Sequence, residues 1–236
     1  MGNDLRDPDL RGYLSDDVDP GLRAYMLKVC DFMAGGLAVS GATSYLATSI
    51  SLYRQLAATS LIWLIMMAPL LLVFFLSLQI HRMSLAAAQL AFWSYAVLMG
   101  LSLSGIFLVY SGASVAKTFF ITAATFSAMG LYGYKTTRDL TRVGVFLFMG
   151  LIGIILASLV NLLLASSALE TVFSFIGVIL FVALTACDTQ RIKVIYASGD
   201  PSQSMSKKAL FGALMLYLDF INLFLMLLLF TRDRRE

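Results

Sequence analysis

The chain has 236 residues, of which 59% are hydrophobic and 13% charged, and its mean hydropathy is +0.85. Ordinary globular domains contain about 45–50% apolar residues, so this composition predicts an integral membrane protein and excludes a water-soluble one. The formal net charge is +3. The basic residues lie between apolar runs and form no stripe that would bind nucleic acid.

The amino-terminal segment differs from the rest of the chain. The first twenty residues are polar, carry more acidic than basic side chains, and lack the apolar core of a signal peptide. We therefore expect residues 1–22 to form a cytoplasmic tail, residues 23–231 a single transmembrane domain, and residues 232–236 a short charged tail. No fixed-period repeat or long linker divides the central region.

Seven apolar runs follow, each close to the roughly 20 residues that a helix needs to cross a bilayer core of about 30 Å. Pro69 should kink or interrupt the second of them. The pattern predicts an all-α, multi-pass membrane protein. The predicted spans are residues 24–48, 56–80, 84–110, 116–134, 143–166, 171–195 and 207–230.

The distribution of basic residues favours a cytoplasmic amino terminus, because that orientation places 12 of the 17 basic residues in cytoplasmic segments. The terminal segment TRDRRE disagrees, since seven spans place it outside. A re-entrant last segment would return it to the cytoplasm, and we favour seven spans. The twelve are Arg6, Arg11, Arg23, Lys28, Arg82, Lys135, Arg138, Arg142, Arg191, Lys193, Lys207 and Lys208.

Two aspartates interrupt the last two runs. Asp188 shares a helix face with Thr185 and Arg191, and Asp219 shares one with Asn222. A carboxylate at bilayer depth costs about 2.5 kcal/mol or more on insertion scales, so such residues normally face a cavity, a partner or an ion path. We therefore expect both aspartates to point into the helix bundle.

The length of the sixth helix decides whether the aspartates can meet. If this helix continues through Tyr196, Asp188 lies about 12 Å from its cytoplasmic end, and Asp219 lies about 17 Å into the seventh helix. Those depths permit contact between the carboxyl groups. If the helix ends near Arg191, Asp188 is interfacial and the two residues are separated.

Two carboxyl groups in contact share a proton and titrate in coupled steps, which makes them a pH sensor. The protonated pair holds the helices together, whereas the deprotonated pair repels and offers oxygens to a hard cation such as Ca²⁺. Two alternatives stay open. Asp188 could form an ion pair with Arg191, and Asp219 could be a neutral carboxyl bonded to a backbone carbonyl or to Asn222.

Several segments are similar to the Bax inhibitor-1 family, also called the transmembrane Bax inhibitor motif family, in its bacterial YccA/YbhL-like branch. The most specific are ACDTQRIK (186–193) and LYLDFINLFLMLL (216–228). The others are YGYKTTRDL (132–140) and FLFMGLIGIILASLVNLLL (146–164). The resemblance covers the second to seventh spans.

The resemblance implies six helices that wrap a central carboxy-terminal seventh, and a pH-sensitive calcium leak channel in the bacterial inner membrane. It implies that a di-aspartyl pair on the last two helices gates the channel, and Asp188 and Asp219 match its positions. The resemblance also implies an arginine at the cytoplasmic end of the second helix that acts as a latch on the first of these aspartates, Asp188, and Arg82 is the nearest match. The lipid bilayer and Ca²⁺ as the permeant ion are the partners implied, with no bound cofactor.

Two other functions compete with the channel. Some bacterial relatives modulate a membrane-bound AAA protease, and the acidic tail would be the natural contact for that partner. An intramembrane aspartyl protease would also place aspartates on successive helices. Such proteases carry the pattern Gly-x-Gly-Asp, whereas Leu216, Tyr217 and Leu218 precede Asp219 here. We therefore expect a protein that is not an enzyme.

Overall fold

The computed structural model describes residues 19–231, except residues 51, 81 and 198. This part of the chain is all-helical. Residues 1–18 of the expected amino-terminal tail (1–22) and the whole expected carboxy-terminal tail (232–236) lie outside the described residues, whereas residues 20–22 belong to the first helix. The helices are α1 (Pro20–Ser49), α2 (Leu52–Ala57), α3 (Leu61–Gln79), α4 (Leu85–Leu103), α5 (Ile106–Val109), α6 (Gly112–Lys135), α7 (Thr141–Leu164), α8 (Ser167–Ile195) and α9 (Ser202–Thr231).

Short polar side chains begin several of these helices. Asp19 precedes Pro20 and accepts a hydrogen bond from the backbone N–H of Gly21 at 2.9 Å. Ser84, Ser111 and Ser166 cap α4, α6 and α8 in the same way, each by accepting from the N–H three residues later. These caps satisfy backbone donors that have no partner within the helix, so the polar residues between the apolar runs set where the helices start.

Six helices are long and apolar enough to cross a membrane: α3, α4 together with α5, α6, α7, α8 and α9. They correspond to the last six predicted spans. α3 runs through Pro69 without interruption, whereas residues 58–60 separate it from the short α2. The predicted first span lies within α1. This helix is long enough to cross a membrane, but it is less apolar than the six.

The main hydrophobic core surrounds α9, which packs against α8, α1, α6 and α4. α7 lies at the outside of the bundle. It packs mainly against α8 and exposes most of its large side chains. The last two helices, α8 and α9, form an antiparallel hairpin with extensive contact. This hairpin carries both aspartates.

One end of the bundle is basic. Lys28 of α1 donates a hydrogen bond from Nζ to Ser206 of α9 at 2.7 Å, and Lys193 of α8 donates to the carbonyl of Tyr134 at 3.0 Å. The start of α1, the end of α6, the end of α8 and the start of α9 therefore meet. We call this the basic end, and its other basic residues are Arg23, Lys135, Arg138, Arg142, Arg191, Lys207 and Lys208.

Candidate functional site: an aspartate pair between two helices

Close contacts between α8 and α9 set the register of the hairpin. A Cβ atom built on Gly212 would lie 2.9 Å from the side chain of Ile192, and one built on Gly177 would lie 2.7 Å from the sulfur of Met226. Glycine at these positions thus allows the two helices to approach closely, as small residues do between helices in lipid. Asp188 and Asp219 lie between these two contacts, on facing stretches of the hairpin.

The structure brings Asp188 and Asp219 together, with their carboxyl groups within hydrogen-bonding reach of each other. α8 continues past Arg191 to Ile195, so Asp188 lies about two turns inside the helix rather than at its end. The sixth predicted helix therefore continues far enough past Arg191 for the two aspartates to meet. We call these two residues the aspartate pair.

The aspartate pair is shielded from solvent, and few hydrogen-bond donors lie beside its carboxyl oxygens. Asp219 is only 6% exposed, and its buried Oδ2 atom has no hydrogen-bond partner within the described part of the chain. Asp188 is half-buried. Because an unpartnered buried polar atom is costly, this oxygen points to a proton, a water or an ion as its partner.

The polar neighbours of the pair bond to their own helices instead. Thr185 donates to the carbonyl of Phe181 at 2.7 Å, and Asn222 donates to the carbonyl of Leu218 at 2.9 Å. The amide nitrogen of Asn222 is therefore bonded within α9, and the neutral-carboxyl alternative for Asp219 stays a prediction. These residues contribute polarity beside the pair without occupying its oxygens.

Two arginines were candidates for an interaction with Asp188. Arg191 is near enough to attract it electrostatically, but it is exposed and forms no ion pair with it in the described chain. Arg82 is exposed in the turn between α3 and α4 and makes no hydrogen bond or ion pair with either aspartate among the described residues. Next to it, the carbonyl of Met83 accepts from Lys207 at 3.4 Å, which places this turn at the basic end. Arg82 thus lies at the basic end, as the predicted latch requires, but it does not contact Asp188.

The described residues contain no group of three or more histidine, cysteine or acidic side chains that could hold a metal ion. Ca²⁺ usually takes six to eight oxygen ligands, and the aspartate pair supplies four at most. The geometry therefore suits brief contact with a hydrated cation better than a closed calcium site.

Sequence reasoning missed a second polar cluster, which lies between α1, α4 and α9. Ser40 Oγ lies 2.7 Å from the carbonyl of Ala96 and 2.7 Å from the hydroxyl of Tyr217. The carbonyl of Gly36 lies 2.9 Å from the same oxygen. Since a serine has one proton and carbonyls can only accept, Ser40 shares its proton between Gly36 and Ala96 and accepts from Tyr217. Tyr217 is separated from Asp219 by one residue, so α9 carries buried polar groups toward two different neighbours. A single serine among the glycines and alanines of α1 gave no signal for this contact.

Comparison with known proteins gives the family. A family model described as "Inhibitor of apoptosis-promoting Bax1" matches residues 22–236. The chain belongs to the Bax inhibitor family. The resemblance inferred from the segments around Asp188 and Asp219 is thereby confirmed. The family match extends to α1, which that resemblance did not cover.

Bacterial members of the Bax inhibitor family align with nearly the whole chain. "Uncharacterized protein RP147" of Rickettsia prowazekii is 47% identical over 92% of this chain and 93% of its own length. "Inner membrane protein YbhL" of Escherichia coli is 46% identical over 91% and 94%. A protein of Caulobacter vibrioides is 41% identical over 93% and 92%. Together with the apolar helices, these matches identify a membrane protein of the Bax inhibitor family.

Proposed function

We propose that this Bax inhibitor-family protein is a pH-sensitive calcium leak channel whose gate is the aspartate pair. The observation that carries the proposal is the contact between Asp188 and Asp219 inside two apolar helices, with one buried carboxyl oxygen that lacks a partner. A carboxyl pair that served only to join helices would have its acceptors satisfied by nearby donors. Here Thr185 and Asn222 donate to backbone carbonyls of their own helices.

The gate works through repulsion. When the pair holds a proton, one carboxyl donates to the other and ties α8 to α9. When that proton leaves, two negative charges face each other in a medium of low dielectric, where their repulsion is much larger than in water. The helices then separate, and the freed oxygens attract a divalent cation. Flux should therefore rise as the pH rises.

The architecture supports an ion path through the bundle. α1 has 30 residues, about 45 Å of helix, which is enough for a seventh span. α9 contacts four other helices, as a central helix would. Because cytoplasmic loops carry an excess of Lys and Arg, we place the basic end, and with it the amino terminus, in the cytoplasm. YbhL carries the name of an inner membrane protein, and we propose the same location here.

The direct test measures calcium entry into liposomes that contain the purified protein and a calcium-sensitive dye, at several pH values. We expect wild-type flux to increase with pH. Asp188→Asn and Asp219→Asn keep the shape of each side chain but remove its charge, so flux should lose its dependence on pH in either variant.

Asp139→Asn is the matched control, because Asp139 is an exposed residue in the loop before α7 and makes its hydrogen bond to the N–H of Thr141. Asparagine can accept the same bond. This variant should behave as the wild type. Calcium flux that is unchanged in the Asp188→Asn/Asp219→Asn double variant would exclude the aspartate pair as the gate.

Modulation of a membrane-bound AAA protease is a separate proposal that rests on the acidic composition of residues 1–20. Deleting this tail separates the two functions. A regulatory protein would lose its effect on degradation of a membrane substrate while calcium flux continues. The same preparations, assayed for cleavage of membrane substrates, test the aspartyl protease alternative.

A further inference from the structure

Two cavities lie in a row where α1 and α6 face each other without extensive packing. The larger, about 780 Å³, lies between residues 23–34 of α1 and residues 126–134 of α6. The smaller, about 280 Å³, lies between residues 37–44 and residues 112–120. We call the two together the α1–α6 groove, and α9 lines both parts of it.

The larger part of the groove is apolar inside and positively charged at one end. Apolar and small side chains make up most of its walls, and Arg23 is the single charged residue among the described residues that line it. The Arg23 side chain is exposed and has no hydrogen-bond or ion-pair partner in the described chain. It therefore presents a positive charge at the mouth of the groove.

The opposite wall adds further positive charge at the same end. Tyr134 lines the groove, and the ammonium group of Lys193 lies 5.3 Å from the centre of its ring. Lys135 is the next residue along α6 and is exposed. Two acids are nearby: Asp19, one turn before Arg23, caps the start of α1 by accepting from the N–H of Gly21, and Asp31 lies two turns after Arg23. Neither of them lines the cavity. The mouth of the groove thus favours an anion.

These properties select the occupant. A cation would be repelled by Arg23 and would find few oxygens inside. The apolar part beside residues 23–34 extends about 17 Å along α1, which suits an extended hydrocarbon chain. An amphiphile with a negative head and an apolar tail matches both features, and the surrounding bilayer supplies such molecules.

We propose that the α1–α6 groove binds an anionic phospholipid, with the phosphate at Arg23 and one acyl chain along the cavity toward Leu216. A basic side chain near an anionic lipid surface contributes about 1 kcal/mol, which corresponds to about a fivefold preference over a neutral headgroup. The acyl chain lies beside Thr189 and Leu216, one residue after Asp188 and one turn before Asp219. This site is independent of whether the aspartate pair conducts calcium.

Native mass spectrometry of the purified protein, titrated separately with phosphatidylglycerol and phosphatidylcholine, tests the headgroup contact. The wild type should retain phosphatidylglycerol about five times more strongly. Arg23→Gln should bind both lipids equally. Arg142→Gln removes an exposed arginine at the basic end but outside the groove, and it should keep the wild-type preference. Equal retention of the two lipids by the wild type, or an unchanged preference in Arg23→Gln, would overturn the proposal.

A second pair of variants tests the acyl-chain site. Ala34→Phe places a ring in the groove and should abolish retention of both lipids. Ala124→Phe makes the same change at an exposed position of α6 that does not line the groove, and it should have no effect. Thermal unfolding of both variants checks that they are folded. Lipid retention that survives in folded Ala34→Phe rejects the site. A wild-type dimer that dissociates in this variant while lipid stays bound also rejects it, because a second copy of the chain, and not a lipid, then occupies the groove.

Discussion

α9 and α7 are comparably hydrophobic, yet they occupy opposite environments. In the most apolar stretch of α9, 56% of the residues are buried within the protein, against 6% in α7. The difference teaches that hydrophobicity places a helix in the membrane but does not decide which helix lies inside the bundle. Lipid tails are as apolar as leucine side chains, so close packing and polar contacts make that decision.

The residues that distinguish α9 are those that make such contacts. α9 presents Asp219 to α8, and it presents Tyr217 to α1. In α7, the one internal amide, Asn161, bonds to the backbone of Ser166 just beyond the helix end, rather than to another helix. α9 is therefore joined to its neighbours by its side chains, whereas α7 meets the bilayer with most of its surface. Three pairs of substitutions test the wider contrast between positions packed against another helix and positions on the outer surface of the bundle.

The largest effect is expected for a glycine at a helix crossing. A Cβ atom at Gly133 of α6 would lie 2.2 Å from the carbonyl oxygen of Ala186 in α8, so Gly133→Ala forces the two backbones apart. Overpacking of this kind costs about 3 kcal/mol. Gly153 of α7 has no atom within 4 Å of the same position. Gly153→Ala should leave thermal unfolding in detergent unchanged or raise its midpoint, because alanine favours helix. Equal midpoints for the two variants would mean that α6 and α8 are not in close contact.

A smaller effect is expected for a leucine. Leu223 of α9 is 0% exposed, whereas Leu163 of α7 is 89% exposed. Leu223→Ala leaves a cavity and should lower stability by about 2 kcal/mol. Leu163→Ala changes only the contacts of this side chain with lipid or detergent, so it should lower the free energy of unfolding by less than about 0.5 kcal/mol. Denaturant titration of the two variants gives the difference. A larger loss in Leu163→Ala would show that another protein surface covers α7.

The smallest effect is expected for a hydroxyl group. Tyr217→Phe removes the hydrogen bond to Ser40, and the net contribution of such a bond is about 1 kcal/mol. For a chain of this size, that lowers the unfolding midpoint by about 2–4 °C. Tyr45→Phe, at an exposed position of α1, should change nothing. A midpoint that is the same in both variants would remove the hydroxyl of Tyr217 from the interactions that hold α9 in place.

Much of the fold followed from local patterns. The apolar runs predicted helices close to α6, α7, α8 and α9. The length of each run and the polar residues at its ends are local properties of the sequence, so they can be read without the tertiary structure. The separate α2 was missed, since the break after it, at residues 58–60, consists of the small residues Ala58, Thr59 and Ser60, which do not stand out as a helix boundary. The role assigned to the aspartates stays a prediction until flux is measured.

The sequence by itself determined that this chain enters a membrane, where its helices lie along the chain, and that Asp188 and Asp219 are costly there, because these properties depend on the residue types within each segment. Its motifs also indicated the family. Only the tertiary structure decided that the two carboxyl groups meet, that Arg82 does not reach them, and that Tyr217 bonds to Ser40. Those outcomes depend on the register and packing of helices that are distant in the sequence, which no local pattern encodes.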